Sequence, residues 1–165
     1  MKNLILIVTL TLFLFSQTVN FKETKYVDAL QLYTYRDGNV TYSNINSSNN
    51  KTIVKYKDGK IITKIDNILT VHNDEGELLT TIKLSQKPEL ALYFKLTKAL
   101  FSKNFDSLKD NFNIKEPKEN EYEFIPKGDI KKAISNIKLS LKKDKTTKSF
   151  IINFENMDKV TIETK

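Results

Sequence analysis

Side chains able to do covalent or metal chemistry are few in this chain, and they are poorly placed for it. His72 is the only histidine, and it sits in a β-rich run with no acidic or serine neighbour at a recognisable spacing. There is no cysteine, which removes thiol nucleophiles, thiolate metal sites and disulfides together. Glu119, Glu121 and Glu123 share a period-two face, the pattern of a solvated strand edge rather than of an isolated acid–base pair. Neither a glycine-rich phosphate loop nor a nucleophile elbow occurs. The sequence therefore predicts a non-enzymatic protein with no metal and no cofactor. What remains is the chemistry of apolar surface: Tyr33, Tyr35, Val40, Tyr42, Val54, Tyr56, Leu69, Val71, Ile82 and Leu84 alternate with polar neighbours as strands buried on one face require. Such a face makes either an ordinary core or the wall of a groove.

The elements that must position these residues can be read in order. Four short β-rich runs fill 51–84, separated by Asp58-Gly59, Asp66-Asn67 and Asp74-Glu75-Gly76. Asp-Gly suits a two-residue hairpin turn with φ > 0 at both central positions, so an antiparallel meander is expected. Upstream, 21–28 reads as a short helix or an extended lead-in and 29–35 as a strand. Arg36-Asp37-Gly38 reads as a turn and 39–42 as its return strand. The Asn- and Ser-rich stretch 43–50 reads as a loop or a weak continuation of the strand, and the sequons at Asn39, Asn46 and Asn50 as abundant asparagine.

Pro88 and Glu89 mark a helix entry. Leu90, Tyr93, Phe94, Thr97, Leu100 and Phe101 then recur at spacings of three and four, with Lys95 and Lys98 off the stripe. A second, shorter helix is expected to carry Phe105, Leu108 and Phe112. A strand follows at 121–124, then a helix through Ile130, Ala133, Ile134 and Ile137, and strands at 137–141, 149–154 and 160–164. Strands, then helices, then strands predict an α+β fold: a curved antiparallel sheet, an open half-barrel, with helices over its concave face.

The 165 residues suffice for one domain, and the formal net charge is +7 with Arg36 the only arginine. Nucleic-acid binders lean on arginine for bidentate phosphate and base contacts, and the lysines here are dispersed, so no nucleic-acid partner is expected. A lysine-rich solvated surface with mild attraction to anionic membranes is the consistent reading. Met1-Lys2-Asn3 followed by an apolar run over 4–15 reads as an export signal, too short to span a bilayer comfortably. The expected division is a signal peptide at 1–19 and one domain at 20–165, soluble after export because no cysteine is present to carry a lipid.

Several joints in this order resemble the LolA-type outer-membrane lipoprotein carriers. They are Gly38 leading into Asn39-Val-Thr-Tyr42, Lys87-Pro-Glu-Leu90 before the long helix, and the spacing of Leu96, Leu100, Phe101, Phe105, Leu108 and Phe112. Tyr122, Phe124 and Pro126 follow, then Ile134, Ile137 and Leu139, and last the strand 150–154 leading into Val160-Thr-Ile162. The resemblance implies that the concave apolar face is a groove for acyl chains, with Phe94, Leu100 and Phe101 of the helix on the covering side. It also implies a periplasmic, monomeric chaperone with acylated lipoproteins or other lipids as partners. Such carriers receive cargo from an inner-membrane lipoprotein export complex and deliver it to an outer-membrane acceptor. The Arg-Pro pair that follows the strand-two glycine in such carriers is replaced here by Ser43, Asn44, Ile45 and Asn46, so its arginine is not carried over to Arg36.

Overall fold

A computed structural model describes residues 16–43 and 51–165. The apolar run 1–15 and the stretch 44–50, with Asn46 and Asn50, lie outside the described residues. The described chain forms one eleven-stranded antiparallel sheet with a single α-helix. In chain order the strands are β1 (Ser16–Val27), β2 (Leu32–Ser43), β3 (Lys51–Tyr56), β4 (Ile61–Ile65), β5 (Ile68–His72) and β6 (Leu78–Lys83). Helix α1 (Pro88–Ser102) follows, then β7 (Phe112–Lys118), β8 (Glu121–Pro126), β9 (Ile134–Leu141), β10 (Thr147–Phe154) and β11 (Lys159–Thr164). The spatial order is β6-β5-β4-β3-β2-β1-β11-β10-β9-β8-β7, so the sheet is open, with β6 and β7 at its two ends.

The helix forces the sheet to roll. Phe94 packs with Leu69 of β5, whereas the Leu100 carbonyl accepts a hydrogen bond from Thr147 Oγ1 of β10 at 2.9 Å. These strands lie six places apart in the sheet, roughly 29 Å if it were flat. Residues 94 and 100 are separated by only about 9 Å of helix rise. One helix can reach both strands only if the sheet curves around it. Curvature on this scale is what makes a half-barrel.

The meander 51–84 forms as its turn residues and alternation dictate, but the β3–β4 connection differs in kind. Only Gly59 has positive φ there (+89°). Gly59 N–H donates to the Tyr56 carbonyl at 3.1 Å and Tyr56 N–H to the Lys60 carbonyl at 2.9 Å. The loop is therefore three residues long with a bulge at Gly59, the next most common hairpin type.

Of the two readings of 21–28 the extended one holds, since all but its last residue belongs to β1, a strand inside the sheet. Other expectations are corrected. Arg36-Asp37-Gly38 is not a turn: these residues pair in register with Glu23, Lys22 and Phe21 in mid-strand. The reversal instead lies at Asp28–Leu30, closed by Gln31 at φ 51°. Gly38 serves close approach, because a Cβ there would lie 2.6 Å from the Lys55 carbonyl oxygen and 2.9 Å from the Phe21 ring. The second helix is a single 3-10 turn (Phe105–Leu108), and Phe112 opens β7.

Ile134 and Ile137, spaced as on a helix, both lie in β9 and are both buried. Asn136 faces Asn153 while Ile134 faces Phe154, so Ser135 is an extra residue on its strand. A bulge of this sort resets the alternation and lets residues three apart share one face.

The core lies between α1 and the concave face. Phe124 is fully buried at the centre of a cluster of rings, edge-on to Phe105 (5.3 Å) and Phe112 (6.4 Å), and Phe101 meets Phe150 edge-on at 5.4 Å. Helix α1 buries Phe94, Leu96, Thr97, Ala99, Leu100 and Phe101. Leu96 and Ala99 extend the buried surface beyond the expected stripe, because rolled strands flank the helix on both sides.

Candidate functional site

Strand register fixes which residues share the concave face. Starting from buried Val40 and Tyr42, pairing leads to Val54 and Thr52, then to Ile62 and Lys64, then to Val71 and Leu69. Ile82 follows opposite Leu69 on β6. In the other direction Val40 faces Val19 of β1, and inward-facing Phe21, Ile162 and Phe150 continue the surface.

The expected groove residues divide accordingly. Val40, Tyr42, Val54, Tyr56, Phe94 and Phe101 converge on one cavity between α1 and the sheet. Leu69 and Leu84 are buried beside Phe94 in an adjoining cluster, with Val71 and Ile82 half-buried around it. Leu100 is fully buried in the main core. Tyr33 and Tyr35 are not part of this face. Because β2 runs straight through Gly38, period two continues unbroken and puts both tyrosines on the opposite face from Val40 and Tyr42. They are 55% and 62% exposed, their rings stacked 6.3 Å apart, and Tyr26 lies 4.8 Å from Tyr33.

Sequence reasoning missed Phe21, Thr52, Ile62, Tyr93, Thr97 and Ile162 as walls of the cavity. Tyr93 lay on the expected helical stripe, and Thr52 and Ile62 follow from the phase of β3 and β4. Nothing local marks Phe21 or Ile162, which arrive through pairing between the two ends of the chain.

The cavity is small. Its volume is about 40 Å³, against roughly 300–1,000 Å³ for sites that hold small molecules. The expected room for a guest is thus occupied by the rings of Tyr42, Tyr56, Tyr93, Phe94 and Phe101. Tyr42 is buried at 3% exposure, and among the described residues its hydroxyl has no hydrogen-bond partner. Nearby Thr97 directs its own hydroxyl to the Phe94 carbonyl at 3.3 Å. An unsatisfied buried hydroxyl costs about 1–3 kcal/mol. Burial also pushes the Tyr42 phenol well above its ordinary pKa.

Beside this small cavity is a larger, more open hollow of about 440 Å³ at the N-terminal half of α1, whose walls include Glu23, Lys25, Arg36 and Leu90. Tyr56 and Tyr93 belong to the walls of both spaces, so their rings form the partition between them. Tyr56 donates a hydrogen bond to Glu23 Oε2 at 3.4 Å. Burial raises the Glu23 carboxyl above its usual range, an effect that the Arg36 charge opposes without cancelling. Arg36 places its guanidinium 5.4 Å from the Tyr56 ring centre and its Nε 3.8 Å from Asp58 Oδ2.

His72 is half-buried at the end of β5. Among the described residues no group of three His, Asp or Glu side chains could hold a metal ion. Glu119 pairs with Lys145 at 3.4 Å and is solvated, while Glu121 and Glu123 alternate with the inward Tyr122 and Phe124 of β8.

No protein-family model and no curated protein matches the chain. Solved structures are similar to it. One is a crystal structure from Vibrio parahaemolyticus described as a domain of an outer membrane lipoprotein-sorting protein. It aligns over 90% of this chain and 83% of that one, with a TM-score of 0.44 and 7% identity. Another is the lipoprotein LppX of Mycobacterium tuberculosis, aligned over 90% of this chain and 84% of that one, with a TM-score of 0.42 and 13% identity.

Proposed function

We propose that the protein is an exported, non-enzymatic carrier of amphiphiles that opens the seam between α1 and the sheet to shield acyl chains. Its cargo is an acylated lipoprotein or another acylated lipid. It works as a monomer in the periplasm after loss of residues 1–19, taking lipoprotein from an inner-membrane export complex and passing it to an outer-membrane acceptor. A cut after residue 19 falls within β1 and leaves the part of that strand that pairs with β11 intact.

The observation that supports this reading most is the ring-filled seam itself. A fifteen-residue helix lays Tyr93, Phe94 and Phe101 over a continuous apolar face and leaves a cavity of about 40 Å³, lined in part by Tyr42, whose hydroxyl has no hydrogen-bond partner among the described residues. Helix and guest would then compete for one surface. Burying ten methylenes gains about 8 kcal/mol, enough to displace a few aromatic rings from the same face. Re-closure buries those rings again and favours release. A permanently open pocket would hold its guest without that counterweight.

Native mass spectrometry of the protein purified from the cell envelope tests the reading. Bound acylated species are expected; protein that is empty in every preparation contradicts it. A second reading, a secreted protein-binding adaptor, is favoured by the exposed Tyr26–Tyr33–Tyr35 aromatic row on the outer face, flanked by Leu30 and Leu32 at 70% and 51% exposure.

A further inference from the structure

Three lysines converge where α1 meets β3 and β4. Lys64 points from the concave face of β4, opposite Thr52 on β3, while Lys95 and Lys98 lie one turn apart on the helix. Together they line a cleft of about 300 Å³ whose other polar walls are Thr52, Ser102, Asn104 and Ser107. Among the described residues, no carboxylate lines it.

We propose that this cleft is the headgroup site of the cargo, and that it takes the phosphate of an anionic lipid. The assignment rests on the carrier reading and narrows its cargo to an anionic phospholipid, because the acylated anchor of a lipoprotein has no phosphate. Two independent observations point the same way. The first is electrostatic: lysine ammonium groups are compact charges with three donors each, suited to phosphate oxygens, and the Thr and Ser hydroxyls add further donors. Lys95 lines the cleft and donates through Nζ to Asn111 Oδ1 at 2.9 Å. Burial depresses the Lys64 and Lys98 ammonium groups below their ordinary pKa. For Lys98 the charge of Lys64 adds to this, and for Lys64 Asp66 partly offsets it.

The second observation is positional. Thr52 and Phe94 are walls both of this cleft and of the small apolar cavity. A headgroup held by the lysines therefore has its acyl chains at the point where α1 must lift from the sheet. Free phosphate would satisfy the lysines and leave that adjacency without a role, so the site is assigned to a lipid phosphate.

The test is equilibrium binding to the full-length mature protein of short-chain phosphatidylglycerol, short-chain phosphatidylcholine and inorganic phosphate, each measured in wild type and in Lys64→Gln/Lys98→Gln. Wild type is expected to prefer phosphatidylglycerol, with inorganic phosphate far weaker. The double variant should lose at least about tenfold for phosphatidylglycerol, close to 1.4 kcal/mol, and little for phosphatidylcholine. An equal loss for both lipids, or no loss for either, overturns the headgroup site while leaving a carrier. Inorganic phosphate binding as tightly as the anionic lipid also overturns it. If neither lipid binds wild type, the headgroup site is overturned, while the carrier reading stands or falls on the native mass spectrometry. Circular dichroism of the double variant separates lost binding from lost folding.

Discussion

Replacing Gly38 with valine should destabilise the protein by about 3 kcal/mol, although Gly38 does not have positive φ. Even the first added carbon meets the Lys55 carbonyl oxygen at 2.6 Å, and backbone in a paired strand cannot swing aside as a side-chain end can. Its other neighbour is the ring of Phe21, itself buried at 4% exposure and a wall of the seam. The strain therefore falls on the β1–β2–β3 junction that carries the concave face. Gly76→Ala is the matching control. Gly76 has φ +85° with no atom within 4 Å of a built Cβ, so its substitution costs only the left-handed conformation, about 1–2 kcal/mol. Urea denaturation of both variants checks the difference. If Gly38→Val proves no costlier than Gly76→Ala, the close strand approach is not what the glycine serves.

Phe101→Ala should weaken the fold and strengthen guest binding at once. The ring lies 6.0 Å from Tyr42 and 5.4 Å from Phe150, and its removal should cost about 3–5 kcal/mol. It also removes one of the rings that close the seam, so an acyl chain has less to displace. Affinity for a long-chain fatty acid should rise about tenfold, and added ligand should recover part of the lost thermal stability. Phe112→Ala is the comparison, since Phe112 is just as buried yet is not a wall of the cavity. It should lose similar stability with no gain in binding. Thermal melts with and without oleate, alongside direct titration, separate the cases. Equal behaviour of the two variants would make the seam an ordinary core.

The parts of this architecture that the sequence makes legible are those written locally. The meander 51–84 is legible because each strand alternates and each turn has its own Asp, Asn or Gly. Helix α1 is legible from Pro88 and the spacing that follows it. The rest depends on partners distant in the chain. Gly38 resembles a turn glycine because a residue without a side chain serves a tight turn and a close strand approach equally well; only Lys55 and Phe21 decide between them. That one ambiguity also misplaced Tyr33 and Tyr35, since a turn at 36–38 would have let the strand change phase. Ile134 and Ile137 imitate a helix because a bulge at Ser135 produces the same spacing. Most of the concave face could be listed from alternation, but not that its rings would meet and close. Nor does spacing show Tyr56 and Tyr93 as a partition, or Lys64 beside Lys98, because each pair joins a strand to the helix.

The central claim is that an acyl chain enters between α1 and the concave face. Photolabelling with a diazirine-bearing fatty acid, followed by peptide mapping, tests this most directly. Adducts are expected on the inward residues Val40, Tyr42, Val54, Phe94 and Phe101, lost on competition with oleate. Adducts confined to the outer-face residues Tyr26, Tyr33 and Tyr35, with the seam unlabelled, would contradict it.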